Sequence, residues 1–187
     1  ARETEGWITA ILLLAQRLRE DGAWRRLRPS EPSTLYRYLE EEILNRQPPE
    51  LQAFLLETAI LPLFNVAACN ALRGRTDAAR WLAEVEQRQL FLIQVETERE
   101  GPWYRYHHLF REFLNLTLRQ RDPARYRELH RRAGRWFAEQ GDAEAAVAHL
   151  LKAGDIEGAI AVMEGAVRGI FAAGRLETLR QWVQALP

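Results

Sequence analysis

The stretch from residue 103 to residue 114 changes from one structural period to another within a few positions. Tyr104 and Tyr106 alternate at the period of a strand, in which every second side chain lies on the same face. Three apolar residues then recur at helical spacing: Leu109, Phe113 and Leu116. The change of period falls at His107 and His108. The pattern therefore predicts a strand that leads directly into a helix, with two histidines at the helix N-terminus.

The order of the segments before this junction limits the folds that the chain can adopt. Residues 90–95 form another run of β-forming residues, and Glu100-Gly101-Pro102 supplies a turn between the two strands. Three short helical segments come first: residues 49–61, 66–72 and 76–88. The first has a predicted core face of Leu51, Phe54, Leu55 and Thr58, and the third is expected to begin after Thr76 as its N-cap. Three helices followed by a β-hairpin is the order of a winged helix.

Beyond the hairpin, the chain is predicted to be helical. Gly141-Asp142, Gly154-Asp155 and Gly174-Arg175 separate short, alanine-rich helices. Each glycine suits a left-handed position just after a helix, and each aspartate suits the N-cap of the next helix. Antiparallel helix pairs that stack by repetition are typical of an α-solenoid of the tetratricopeptide type.

Together these segments predict a mainly α fold in three parts. We expect a helical segment over residues 1–47, a winged-helix domain with one short β-hairpin over residues 48–121, and antiparallel helical repeats, similar to tetratricopeptide repeats, over residues 122–187. The chain begins with Ala1 rather than with methionine, so we also expect it to be a piece of a longer protein.

Composition bears on the partners that the chain can have. Lysine plus arginine and aspartate plus glutamate number 26 each, so the net charge gives no bulk attraction to nucleic acid or to an anionic membrane. The longest apolar run, residues 8–15, falls well short of the roughly 20 residues that span a bilayer. Cys69 is the only cysteine, so it cannot form an internal disulfide. We therefore expect a cytoplasmic protein without a membrane segment.

The residue inventory is poor for catalysis. Ser30 and Ser33 lie in a proline-containing connector that suits helix capping, and Lys152 is not preceded by a glycine-rich phosphate loop. His107 and His108 diverge by about 100° at a helix start, so they seldom share a metal ion. We therefore predict no enzymatic activity, no metal site and no cofactor bound by this chain alone.

DNA binding is the obvious alternative for a winged helix, and the charges oppose it. The third helix of the winged helix carries Asp77, Glu84 and Glu86, and the wing carries Glu96, Glu98 and Glu100 against Arg99. A groove-binding protein needs a basic footprint instead. Seven arginines between residues 119 and 135 are best interpreted as a solvated face that pairs with acids such as Glu128, although a nucleic-acid surface stays open. A protein-interaction scaffold built on the helical repeats is a further alternative.

The four histidines allow a structural and a functional interpretation. His130 and His149 lie beside predicted core residues. This position favours a structural role, in which each ring packs in the core and makes a hydrogen bond. His107, by contrast, stands where a helix begins and exposes unpaired N–H groups and the positive end of its dipole. It either caps the helix and packs against the wing, which is the simpler interpretation, or donates a hydrogen bond to an anion.

Five stretches resemble MalT-type regulators, and Leu90-Phe91-Leu92 is one of them. Thr4-Glu5-Gly6-Trp7 is similar to the end of their ATPase lid, and Phe54-Leu55-Leu56-Glu57-Thr58-Ala59-Ile60-Leu61 resembles the opening of their winged helix. The most specific match is Trp103-Tyr104-Arg105-Tyr106-His107-His108-Leu109-Phe110, and residues 174–187 resemble the first sensor repeats. These regulators are large ATP-dependent transcription activators of the STAND class, the signal-transduction ATPases with numerous domains. Many end in a LuxR-type helix-turn-helix.

The resemblance implies a regulatory role within a longer protein. The full-length protein would bind ADP at rest and exchange it for ATP when an inducer occupies the helical-repeat sensor, then self-associate and activate transcription. Its winged helix would bind the nucleotide core rather than DNA, which a separate domain would contact. In related STAND proteins the histidine of a Met-His-Asp motif touches the ADP phosphate. His107 falls at that position, with Tyr106 and His108 in place of the other two residues.

Overall fold

The computed structural model describes residues 32–97 and 101–186. Residues 1–31 of the helical segment expected over residues 1–47, and Glu98, Arg99 and Glu100 of the wing, lie outside the described residues. The described part of the chain is mainly α-helical and carries one antiparallel two-stranded sheet. No helix in it is long and apolar enough to cross a membrane.

The elements follow the predicted order. They are α1 (Pro32–Tyr38), continued by a π-helical segment (Leu39–Leu44), α2 (Pro49–Thr58), α3 (Val66–Arg73), α4 (Ala78–Gln87), β1 (Leu92–Val95), β2 (Trp103–Tyr106), α5 (His108–Arg121), α6 (Pro123–Glu139), α7 (Ala143–Ala153), α8 (Ile156–Ala172) and α9 (Leu176–Ala185). A winged helix with one short hairpin is thus followed by helical repeats, which confirms the predicted fold class.

The chain divides into two compact units. Unit 1 contains the described residues of Ala1–Leu63 and Arg80–Thr117, and unit 2 contains those of Phe64–Ala79 and Leu118–Pro187. The domain limits expected from the sequence, 1–47, 48–121 and 122–187, stay a prediction.

Aromatic rings join the hairpin to α5 in unit 1. The ring centroid of Phe110 lies 5.0 Å from that of Phe91, 5.9 Å from that of Tyr106 and 6.2 Å from that of Phe113. Phe110 is fully buried, whereas Leu116 is 39% exposed. Leu116 continues the apolar spacing of Leu109 and Phe113, but the buried face of this helix runs through Phe110 and Phe113.

The start of α4 corrects another prediction. Thr76 is not its N-cap, because the first helical residue is Ala78. The N–H of Ala78 donates to Oδ1 of Asn70, on the preceding helix, at 3.0 Å. Asp77 accepts from Nη1 of Arg73 at 2.6 Å, and the Arg73 side chain is buried. The acceptor for the helix start thus comes from another element, which a local capping pattern does not reveal.

The turns between the repeat helices in unit 2 confirm the predicted glycine–aspartate pattern. Gly141 and Gly154 adopt left-handed backbone angles, with φ of 77° and 72°. Asp142 and Asp155 each accept a hydrogen bond at 3.0 Å from the backbone N–H three residues further on. Arg175, which follows Gly174 at the next turn, makes no side-chain cap.

Helices α6 and α7 are in close contact at Gly134. A Cβ built on Gly134 would lie 2.6 Å from Cγ and 2.8 Å from Cδ2 of Leu150, and 3.2 Å from the carbonyl oxygen of Ala146. Such distances are far below van der Waals contact. The helix pair can therefore pack this closely only because residue 134 has no side chain.

We predict that Gly134→Ala destabilises the protein although alanine is the better helix former. Overpacking a close helix contact costs about 1–3 kcal/mol, which outweighs the gain of up to about 1 kcal/mol in helix propensity. Gly165→Ala is the matched control, because a Cβ there meets nothing within 4 Å. Urea unfolding should show a loss of stability for the first variant and a gain for the second. Equal gains for both would contradict the close packing of α6 on α7.

Candidate functional site

His107 lies between the end of β2 and the first residue of α5, which is the N-cap position. Its carbonyl oxygen accepts a hydrogen bond from the N–H of Arg111 at 2.9 Å and so begins the helix. Its own N–H donates to the carbonyl oxygen of Phe91 at 2.8 Å. His107 is only 7% exposed. The structure thus confirms its predicted position at a helix N-terminus, and adds that the residue is buried.

Phe91, which receives that hydrogen bond, has an unusual backbone. Its φ is 55°, a left-handed conformation that is rare for a bulky residue. Gln89, two residues earlier, is also left-handed, with φ of 53°. Such conformations cost of the order of 1–3 kcal/mol each, and they persist only where the surroundings hold them. The backbone of His107 is therefore fixed by a strained turn rather than by the helix alone.

The residue before His107 is anchored to α2. The hydroxyl groups of Tyr106 and Thr58 are 2.8 Å apart, and Thr58 Oγ1 also donates to the carbonyl oxygen of Phe54 at 2.7 Å. Tyr106 and Thr58 are both fully buried. A hydrogen bond of this kind, shielded from water, fixes the end of β2 relative to α2.

Two side chains of α5 bind one backbone oxygen just beyond the end of α2. Arg111 Nε and Asn115 Nδ2 donate to the carbonyl oxygen of Ala59 at 3.1 Å and 2.5 Å. The last carbonyl groups of a helix have no partner within it, so they need donors from elsewhere. We did not predict these residues from the sequence. The available signal was two polar residues, four apart, on a helix with an apolar face.

The electrostatic environment of His107 favours its neutral form. Burial lowers the pKa of His107 below its ordinary value, and the neighbouring His108 and Arg105 lower this pKa further. The rings of His107 and His108 lie 4.6 Å apart. Within residues 32–97 and 101–186, the ring nitrogens of His107 have no hydrogen-bond partner. A neutral imidazole in this position can donate one hydrogen bond and accept another.

The other two histidines form a buried pair in unit 2. Nδ1 of His130 on α6 lies 2.9 Å from Nδ1 of His149 on α7. The two residues are 1% and 6% exposed. The prediction of hydrogen-bonded packing histidines is confirmed. In the described part of the chain, no three side chains of histidine, cysteine, aspartate or glutamate converge as metal ligands.

At least two of the seven arginines weighed as a nucleic-acid surface make ion pairs in the structure. Arg131 and Arg132 both bind Glu128, at 2.9 Å, as predicted. Near α4, Arg88 pairs with Glu84 at 2.5 Å, and the guanidinium carbon of Arg80 lies 4.8 Å from the ring centre of Trp81. The helix that would enter a DNA groove thus has ion-paired or stacked arginines beside its acidic residues.

Unit 2 also contains an open cleft of about 460 Å³. It lies between the turn from α6 to α7, one face of α8 and Arg175. Arg175 Nη1 is 2.8 Å from Oε1 of Glu144, and Thr178 Oγ1 donates to the same oxygen at 3.2 Å. Gly169 lines the cleft, and a Cβ there would meet nothing within 4 Å. The volume is in the range of small-molecule sites.

Comparison with protein families supports the winged helix. Residues 39–126 match the family model of the MalT winged helix domain. This chain contains a MalT-like winged-helix region. The matched range includes the hairpin, His107 and all of α5. The match indicates that the MalT-like region is a regulatory module.

Three relatives align with almost the whole chain. They are the proteins named serine/threonine-protein kinase PknK from Mycobacterium tuberculosis strains CDC 1551 / Oshkosh and ATCC 25618 / H37Rv and from Mycobacterium bovis strain ATCC BAA-935 / AF2122/97. Each is 36% identical over 187 residues, which covers 98% of this chain and 17% of the relative. The chain thus spans about a sixth of the length of these proteins, and its alignment extends beyond the MalT-like region on both sides.

We predict that His107 is half-protonated only below about pH 6.5, the ordinary histidine value. NMR titration of labelled histidine side chains measures this directly. His108→Gln and Arg105→Gln should each raise the pKa of His107 without fully restoring it, because burial is the largest cause of the shift. Since the folded-state pKa is lowered, the stabilising effect of neutral His107 is lost as the pH falls through this range. Titration of His107 above pH 6.5 would contradict the buried environment.

Proposed function

We propose that this chain is a non-catalytic regulatory region of an ATP-dependent transcriptional regulator of the STAND class. Its winged helix would couple a nucleotide-binding core of the same polypeptide to an inducer sensor formed by the helical repeats. The support is the match of residues 39–126 to the MalT winged helix domain, together with the repeated helix pairs of unit 2. The whole protein would act in the cytoplasm, self-associate, and contact DNA only through a separate domain.

The observation that carries this proposal is the state of the His107 side chain. The residue is 93% buried, yet its ring has no hydrogen-bond partner among the described residues. It also stands at the N-terminus of a helix of 14 residues, where the helix dipole favours an anion. A histidine at such a position can donate a hydrogen bond to a phosphate oxygen. A phosphate oxygen of ADP, held by the nucleotide-binding core, fits both features.

The positioning of His107 suits a sensor of bound nucleotide. Its backbone is held by Phe91, the preceding Tyr106 by Thr58, and the first turns of α5 by the carbonyl oxygen of Ala59. A nucleotide that holds His107 would therefore also hold the hairpin and α5. Exchange of ADP for ATP can shift this equilibrium only if the two nucleotides contact the region differently.

The cleft of unit 2 supports the sensing part of the proposal. It is lined by an ion pair, Arg175 with Glu144, and by the small residue Gly169. A small polar inducer could enter such a cleft and compete for the exposed ion pair. Binding there would act on the turn from α6 to α7 and on α8, the elements that form its walls.

The similarity to the PknK proteins favours a second candidate function. The same regulatory region would then control a serine/threonine-protein kinase rather than a transcription activator. The observation behind it is the 36% identity over 98% of this chain. The two candidates share the role of His107 and differ in the output domain of the longer polypeptide.

We predict that His107→Ala in the longer polypeptide weakens ADP binding by about 10–100-fold. A hydrogen bond to a charged group contributes about 1.5–3 kcal/mol, which corresponds to that range. Titration with a fluorescent ADP analogue measures the affinity, and basal output should rise as ADP is retained less well. His108→Ala is the control and should change both less, because His108 is exposed. Unchanged ADP affinity and unchanged basal output would leave His107 with a capping role only.

We also predict that this chain does not bind duplex DNA specifically. The arginines near α4 are already paired or stacked, and the face carries Glu84 and Glu86. Titration with labelled duplex at moderate salt should therefore give weak binding without sequence preference. Nanomolar, sequence-selective binding would overturn the regulatory interpretation of the winged helix. Partner capture that depends on residues 143–187, with no effect of nucleotide, would instead favour an interaction scaffold.

A further inference from the structure

The buried histidine pair of unit 2 has a geometry that limits its protonation. Nδ1 of His130 faces Nδ1 of His149 at 2.9 Å, a hydrogen-bond distance. One of these nitrogens must carry a proton and the other must offer its lone pair. If both nitrogens carried protons, two donors would face each other at this distance. The contact can therefore exist only while at least one of the two rings is neutral.

Aromatic rings enclose the pair. Tyr126 lies edge-on to His130 with ring centroids 4.4 Å apart, and Phe137 is stacked on His149 at 5.3 Å. A second charge in these apolar surroundings would be poorly solvated, and it would also repel the first. Escape of a protonated ring to solvent requires movement of α6 or α7, because both rings are buried between these helices.

The helices and turns around the pair carry other ionisable groups. Helix α3 packs on α6, α8 and α9 pack on α7, and a short turn bounds α7 at each end. Their titratable or charged residues that are not exposed are Cys69, Arg73, Arg125, Tyr126, Glu128, Arg131, Arg132, Asp142 and Asp155. Side chains of these types ordinarily titrate outside this interval. Burial raises the pKa of Cys69 to about 12, and hydrogen bonds from Arg132 and Arg131 lower the pKa of Glu128.

We propose that His130 and His149 form an acid-sensitive link between α6 and α7, which joins the first two repeat helices near neutral pH and releases them on acidification. The link rests on the geometry of unit 2 alone and is independent of the role proposed for His107. Its effect would be to make the helical-repeat region respond to pH in the range in which histidines titrate.

Linkage gives the direction and size of the effect. In the unfolded chain both histidines take up protons below about pH 6.5, whereas the folded pair excludes at least one of them. Stability is therefore highest above that pH and falls as the pH is lowered. Because the folded pair excludes one proton that the unfolded chain binds, lowering the pH from about 7.5 to about 5.5 raises the unfolding constant about tenfold.

The test compares the wild type with His149→Asn. The asparagine Oδ1 can accept the hydrogen bond from His130 Nδ1 but takes up no proton in this range. The unfolding constant is measured in urea at about pH 7.5 and about pH 5.5. The factor by which it rises on acidification should be about tenfold smaller for this variant than for the wild type. Gly165→Ala, which leaves all four histidines in place and adds a Cβ that meets nothing within 4 Å, is the control and should retain the wild-type pH dependence. Equal pH dependence of the wild type and His149→Asn would overturn the proposal.

A measurement on the wild type keeps the proposal testable even if His149→Asn fails to fold. Long-range ¹H–¹⁵N NMR of the folded chain near neutral pH should show one ring of the pair protonated at Nδ1 and the other with a free lone pair there. Two rings that are both fully protonated in the intact fold near pH 5.5, or no asymmetry between their Nδ1 atoms near neutral pH, would refute the link.

Discussion

The hydrogen bond from the N–H of His107 to the carbonyl oxygen of Phe91 is the interaction on which the geometry of unit 1 depends. It joins the turn that leads into β1 to the residue at which β2 ends and α5 begins. Phe91 can present its carbonyl there only in a left-handed conformation, which its packing on Phe110 helps to offset. Without this strained turn, the hairpin could pair without fixing the direction in which α5 starts.

The sequence was informative wherever the cause of a structure lies within a few residues. The period change at residues 103–108, the core face of α2 and the Gly-Asp turns of unit 2 are all local patterns, and the structure bears them out. The position of His107 belongs to this group. Its N-cap position follows from the end of a strand and the start of a helix, and both are visible in the order of apolar and polar residues.

What the sequence did not reveal depends on partners that lie in other elements. The start of α4 uses Asn70 of the preceding helix, and the carbonyl oxygen of Ala59 accepts from Arg111 and Asn115, more than 50 residues away. Leu116 continues an apolar spacing, yet it is the packing of Phe110 that decides which face is buried. Periodicity shows that a helix has an apolar face, but contacts from other elements determine its edges.

Two buried histidines with different environments show how the same residue type acquires different roles. His130 is 1% exposed and meets its need for a hydrogen bond through His149, so its chemistry is used within the fold. His107 is buried almost as completely, yet the described residues leave its ring without such a partner. The structure thus holds His130 through its ring and His107 through its backbone N–H and carbonyl oxygen. Burial alone therefore does not reveal what a histidine does in a fold; the atoms that the fold uses are the more informative criterion.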